Sequence, residues 1–188
     1  MDMHNVSNRD LLAEVIGVED ADRLYEKRTL SQLLQAGNPD PALRPLFVSL
    51  EFWQRMHLHQ LFSRSILESP SAIKEYLQAL FATKPHEVFV VLFLDAQNRL
   101  IAVEEMFRGT LTQTSVYPRE VVLRALDHQA VSVVLSHNHP GGNPAPSRAD
   151  EILTMTLKAA LLLIDVRVLD HIVIGSACSI SLAELGLM

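Results

Sequence analysis

Twelve consecutive residues, Ser136-His137-Asn138-His139-Pro140-Gly141-Gly142-Asn143-Pro144-Ala145-Pro146-Ser147, constrain the fold of this chain more than any other stretch. Three prolines remove backbone donors that a helix or a central strand needs, and two adjacent glycines favour turns, so the segment predicts a loop. The apolar run before it, Ala130 to Leu135, reads as a buried strand. After it, Ile152, Leu153, Leu157, Ala160, Leu161 and Ile164 recur at helical spacing within Ala149 to Ile164. A strand, a loop and a helix in that order belong to an α/β domain, which places its chemistry on loops leaving the carboxyl ends of strands.

The rest of the chain extends this reading. Glu-Val-Phe-Val-Val-Leu-Phe-Leu-Asp from Glu87 is too uniformly apolar for a surface helix and predicts a buried strand. Asp95 to Asn98 turns into a second strand over 99–105, and a third is expected over 106–117, giving an antiparallel start. Pro118 suits a first helical residue, and Val121, Val122, Ala125 and Leu126 supply the apolar stripe of a helix ending near Gln129. Residues 166–175 read as a closing strand. The sheet is therefore mixed. Before residue 70 the texture is helical: Leu11, Leu12, Val15 and Ile16 form one short stripe, the cluster at 37–41 breaks it, and Leu46 to Phe62 suggests a longer helix ending near Ser69-Pro70. Ser71 to Phe81 predicts a connecting helix. The expected division is a small helical segment over 1–69 and the main domain over 70–188.

Within the loop, His137 and His139 are two apart at a strand end, so both imidazoles point to one face and can converge. Asp150 follows at the start of the next helix, and the intervening loop is long enough to bring its carboxylate back to them. Two histidines and a carboxylate make a three-ligand zinc site with an open fourth position, the arrangement that activates water. Ser147 and Asp150 also fit an N-cap and its third helical residue, a role compatible with ligation.

Other candidates carry less. His57 and His59 lie in a helical pattern that sends them to different faces. His4, His86 and His128 have only turn or helix-end contexts. His171, inside a strand, is either a core histidine satisfied locally, the favoured reading, or a hydrogen-bond partner of the site. Cys178 has no basic neighbour and reads as an inert small residue. As the sole cysteine it excludes an intrachain disulfide, a Cys₄ or Cys₂His₂ zinc site and the PCxxC deaminase signature. HExxH is likewise missing.

Ser136 to Asp150 resembles the JAMM motif, His-X-His-Pro-X₆-Ser-X-X-Asp, of the MPN/JAB metal-dependent isopeptidases. Within that superfamily the chain is similar to the RadC family, through residues 86–110, 116–126 and 168–175 as well as the motif. The resemblance implies an α/β/α MPN fold and a zinc-dependent amide hydrolase acting on a protein or peptide. It assigns His137, His139 and Asp150 to the metal and Ser147 to holding the tetrahedral intermediate. It also implies a glutamate as general base near the start of the first core strand. Glu87 fits that pattern best, with Glu104 and Glu105 as rivals. Family members carry an N-terminal segment like a helix-hairpin-helix DNA-binding unit, whereas residues 1–65 here lack its Gly-X-Gly hairpin.

Charge bears on the partners. Lysines and arginines number 16 against 22 acids, a net charge of -6, and residues 1–65 hold seven bases against nine acids, so there is no basic stripe for a phosphate backbone. Duplex DNA is expected to bind only weakly, and the competing expectation is a non-catalytic DNA-metabolism or protein-interaction module on the same scaffold. No apolar stretch reaches the roughly 18 residues of a membrane span, no basic and apolar leader is seen, and cytoplasmic residence is expected.

Overall fold

The computed structural model describes residues 6–26, 28–35, 40–63, 65–109, 115–176 and 178–188. Four helices open the chain: α1 (Asn8–Ile16), α2 (Val18–Tyr25), α3 (Leu30–Leu34) and α4 (Arg44–Ser63). The chain then continues as α5 (Pro70–Phe81), β1 (Val88–Leu94), β2 (Leu100–Arg108), α6 (Pro118–Asp127), β3 (Ser132–Asn138), α7 (Arg148–Leu162), β4 (Arg167–Ile174) and β5 (Ser179–Ser181). The fold is mixed α/β, with five strands in the order β2-β1-β3-β4-β5. Among the described residues only the β3–β4 pair is parallel, and α7 provides the crossover that such a pair requires.

β1 and β3 are buried along their whole length, which explains the unbroken apolar sequence of β1 and the apolar run Val133 to Leu135 of β3. Alternate residues go to opposite faces. Val90 and Leu92 of β1 pack with Ile73, Tyr76 and Leu77 of α5, while Phe89, Val91 and Phe93 pack with Val121 of α6 and with Leu157 and Leu161 of α7. Helices thus cover both faces of the sheet, an α/β/α arrangement. A smaller cluster of Leu12, Ala21, Leu33 and Leu43 holds the first helices together.

Several boundaries differ from the sequence reading. Met106 to Arg108 continue β2 rather than beginning a third strand, and residues 110–114 of that expected strand lie outside the described residues. Residues 37–39 of the breaker cluster, and His4, lie outside them too. α4 stops at Ser63, and a turn of 3₁₀ helix, Ile66–Glu68, capped by the Ser65 hydroxyl, fills the gap before Pro70. β3 runs on through His137 and Asn138, so the loop proper starts at His139. β5 has no counterpart in the sequence reading, because three residues are too few to show a period. Among the described residues no helix is long and apolar enough to cross a membrane.

The core predicts a contrast between two apolar positions. Leu92 is fully buried, whereas Ile152 on α7 is 59% exposed. Leu92→Ala should lose about 2–5 kcal/mol in urea unfolding, and Ile152→Ala less than about 1 kcal/mol. Equal losses would contradict the placement of the core.

Candidate metal centre

His137, next to last in β3, lies on the face turned toward α7, where its ring stacks on that of Phe89, 6.4 Å between centroids. α7 opens with a capping box: the Ser147 hydroxyl accepts from the Asp150 N–H, and the Asp150 carboxylate accepts from the Ser147 N–H at 2.7 Å. The Ser147 hydroxyl proton also goes to Asp150 Oδ2, at 2.6 Å. These bonds hold the carboxylate at the mouth of the helix and aim Oδ1 at the histidines.

Three donors converge there. His137 Nε2 lies 3.0 Å from His139 Nε2 and 3.3 Å from Asp150 Oδ1, and His139 Nε2 lies 3.7 Å from Asp150 Oδ2. Among the described residues, His137, His139 and Asp150 form the group able to hold a metal ion. His139 Nδ1 faces the Asn143 carbonyl at 2.8 Å, which only accepts, so Nδ1 carries the proton and the neutral ring presents an Nε2 lone pair to the cluster. A lone pair and a carboxylate aimed at one point fit a cation between them.

The electrostatics agree. Burial works to raise the Asp150 carboxyl, yet the contacts with His137 and His139, together with Ser147, hold it well below the usual carboxylate range. The Asp150 contact raises the His139 imidazole against burial, helped by the Asn143 carbonyl and the charges of Asp150 and Glu87. Both shifts favour positive charge in the cluster.

Backbone contacts fix the loop. His139 N–H donates to the Ile174 carbonyl at 2.8 Å and Ser176 N–H to the Gly142 carbonyl at 3.1 Å, so the loop is tied to the end of β4. At Gly175 the approach is too close for a side chain, since a Cβ would strike the Gly142 carbonyl and the Pro144 ring.

Glu87 is half-buried and immediately precedes β1. β1 and β3 pair with Phe89 opposite His137, and continuing that register sets Glu87 level with His139, in line with the charge effect of Glu87 on that ring. Asn138, between the two histidines, points to the other face of β3. Its Oδ1 accepts from Val88 N–H at 2.8 Å and its Nδ2 donates to the His86 carbonyl at 3.0 Å, clamping the peptide on either side of Glu87. The two rivals sit mid-strand on β2, opposite Val91 and Val90. Glu104 accepts from Arg124 and contacts His128, and the guanidinium holds its carboxyl at about 2. Glu105 pairs with Lys84.

Two residues that sequence reasoning passed over are therefore part of the architecture, Asn138 and, on α7, Thr154. Thr154 follows Asp150 by one helical turn on the buried stripe, and its hydroxyl contacts His171 Nδ1 at 2.6 Å. His171 Nε2 lies 2.8 Å from His137 Nδ1. The favoured reading of His171 as a locally satisfied core residue is corrected: it is fully buried, but its partner is a residue of the cluster. Burial pushes its imidazole down to about 3. His57 is buried beside Trp53 and His59 is exposed, on separate faces of α4 as expected. A cavity of about 280 Å³ beside the cluster, lined by His139, Asn138, Phe81, Gln78 and Leu34, reaches from the loop to α3.

Removing one donor tests the cluster. His139→Ala should lose stoichiometric binding of divalent metal while its circular dichroism stays native, because half-exposed His139 contributes little to the core. Full retention of metal in the folded variant would contradict the assignment.

Comparison with known proteins agrees with the geometry. The chain is 63% identical over 149 residues to a UPF0758 protein of Albidiferax ferrireducens, covering 79% of this chain and 64% of the relative. It is 60% identical over 149 residues to one of Acidovorax ebreus, covering 79% and 63%. With one of Delftia acidovorans it shares 52% over 168 residues, covering 85% and 74%. The chain spans just under two thirds of the length of the first two relatives. Residues 67–187 match the RadC-like JAB domain, and with the donor cluster, the α/β/α fold and these relatives in agreement, the chain belongs to the RadC-like JAB family.

Proposed function

We propose that this chain is a zinc-dependent amide hydrolase that cleaves a peptide or isopeptide bond in a protein or peptide substrate. The observation that carries the reading is the convergence of His137, His139 and Asp150 where β3 meets the loop, with Glu87, just before β1, level with His139. Zinc suits the donors: two imidazole nitrogens and one carboxylate oxygen are its common catalytic set, leaving one position open. Tetrahedral bonds of about 2.0–2.1 Å put ligand atoms roughly 3.3 Å apart. The separations found are 3.0, 3.3 and 3.7 Å.

When bound, the ion supplies Lewis acidity, lowering the pKa of water and polarising an amide carbonyl. The chain's own residues do the remaining work. Glu87 takes the proton from the attacking water and delivers it to the leaving nitrogen, so that the amine departs neutral. Glu104 is unsuited to that task, because a carboxyl held at about 2 has little proton affinity near neutral pH. Asn138 keeps Glu87 in place through the bonds on either side of it. Ser147 turns its hydroxyl proton from Asp150 Oδ2 to the substrate oxygen as that oxygen gains charge, by rotation about its Cβ–Oγ bond, so that Oγ still accepts from the Asp150 N–H. The cavity beside His139 gives an extended substrate segment room next to the cluster. A reducing, cytoplasmic setting suits a chain whose one cysteine, Cys178, is free and exposed.

The test uses the full chain loaded with zinc and a library of quenched-fluorescence peptides. Glu87→Gln should keep its zinc and its fold while hydrolysis falls at least about 100-fold. Glu104→Gln and Glu105→Gln should retain turnover. Full activity in Glu87→Gln, with loss in either rival, would move the base to β2. An inactive zinc-loaded wild type would favour the non-catalytic scaffold.

A further inference from the structure

Resting on the reading of His137 as a metal ligand, we propose that His171 and Thr154 are positioning residues that lock His137 in the tautomer whose Nε2 lone pair is free to bind the ion. The inference comes from counting protons along one buried chain of hydrogen bonds. It begins at the Thr154 hydroxyl, which lies 2.6 Å from the Asp150 carbonyl and 2.6 Å from His171 Nδ1.

A hydroxyl has one proton to give. The carbonyl has none, so at that separation the hydroxyl proton must point to it. Thr154 therefore accepts from His171, and His171 Nδ1 carries a proton. The fully buried His171 ring meets a hydroxyl, a second imidazole and the Phe89 ring rather than a carboxylate, so it is neutral; a neutral imidazole has only one N–H, and His171 Nε2 is bare. It faces His137 Nδ1 at 2.8 Å, and that contact is satisfied only if His137 Nδ1 carries the proton. The His137 proton is then on the side away from the cluster, and Nε2 offers its lone pair toward His139 and Asp150. With both rings neutral, any other assignment leaves two bare acceptors, or two protons, facing each other at one of the buried contacts between Thr154, His171 and His137, a cost of the kind paid by an unsatisfied buried polar group.

The chain of bonds is a closed circuit. It leaves one donor of the cluster at the His137 ring and returns to another at the Asp150 backbone, by way of β4 and α7. Two structural features make the closure possible. Thr154 stands four residues after Asp150 on the same buried stripe of α7. β4 carries an irregularity: Val133 pairs with Val168 but Val134 pairs with Asp170, so Leu169 is an extra residue. Regular alternation from Val168 would set Asp170 beside Leu135. The extra residue sets His171 there instead, on the face turned to α7.

The experiment reads the tautomer directly. Imidazole ¹⁵N shifts are recorded on the metal-free full chain at about pH 8, above the ordinary histidine range, and zinc affinity is measured separately by competition with a chromophoric chelator. In the wild type, His137 and His171 should both be protonated at Nδ1 and bare at Nε2. Thr154→Val keeps the shape but removes the acceptor. His171 should then shift its proton to Nε2, and His137 should shift its own to Nε2, where Asp150 Oδ1 can accept it. Zinc affinity should fall about 10–100-fold, the usual effect of losing a partner behind a ligand. Thr154→Ser should restore both the tautomer and the affinity. A wild-type His137 protonated at Nε2 overturns the proposal, and so does a folded Thr154→Val with wild-type shifts and affinity. The wild-type spectrum decides the matter even if the valine variant does not fold. Because that spectrum needs neither zinc nor substrate, its outcome is separate from whether the chain hydrolyses amides.

Discussion

A strand buried along its whole length can carry polar side chains only if each finds a partner, and β3 carries four. Ser132 donates to Asn98 Oδ1 at 3.0 Å, Ser136 to the Ile172 carbonyl at 2.7 Å, Asn138 bonds the peptides on either side of Glu87, and His137 meets His171. These bonds are the constraint on which the site depends. Ser132 anchors the start of β3 to the turn between β1 and β2, and the other three residues tie its carboxyl end, where the loop begins, to β4 and to the start of β1. The two faces of the strand divide the labour: His137 goes to the α7 face with the donors, and Asn138 to the opposite face, where it holds the start of β1. An apolar residue at 138 would leave the Val88 N–H and the His86 carbonyl without these partners.

The loop adds rigidity of another kind. Tying the His139 and Ser176 amides to the Ile174 and Gly142 carbonyls makes the loop an extension of the sheet rather than a free strap. The close approach at Gly175 is part of the same fit, since only a residue without a side chain lets Gly142 and Pro144 lie against the end of β4. Donors held this way need little rearrangement when an ion arrives, and the ionised Asp150 already favours positive charge beside it.

Much of this was legible in the sequence because it depends on local patterns. The prolines and glycines of 140–146 mark the loop, the spacing of His137 and His139 along an extended chain sets them on one face, and Ser147 with Asp150 marks a helix start. What was not legible depends on pairing between distant segments. The outward alternation of β4 gives no sign of the extra residue at Leu169, so the face of His171 follows only once the register with β3 is known. Asn138 reads as a spacer between two histidines until β1 is laid beside it. Thr154 reads as a tolerated polar residue in a helical stripe until His171 arrives opposite. The end of α4 was misplaced because its apolar pattern runs on into Ile66 and Leu67, beyond the point where the helix stops.

The central claim is that two imidazoles and one carboxylate of this chain hold a single zinc ion with a position left open. X-ray absorption at the zinc edge, on the full chain loaded with one equivalent, measures that coordination directly. The account predicts about four nitrogen and oxygen neighbours near 2.0–2.1 Å, with outer-shell scattering from two imidazole rings. A sulfur neighbour near 2.3 Å, or a shell with fewer than two imidazoles, would contradict it.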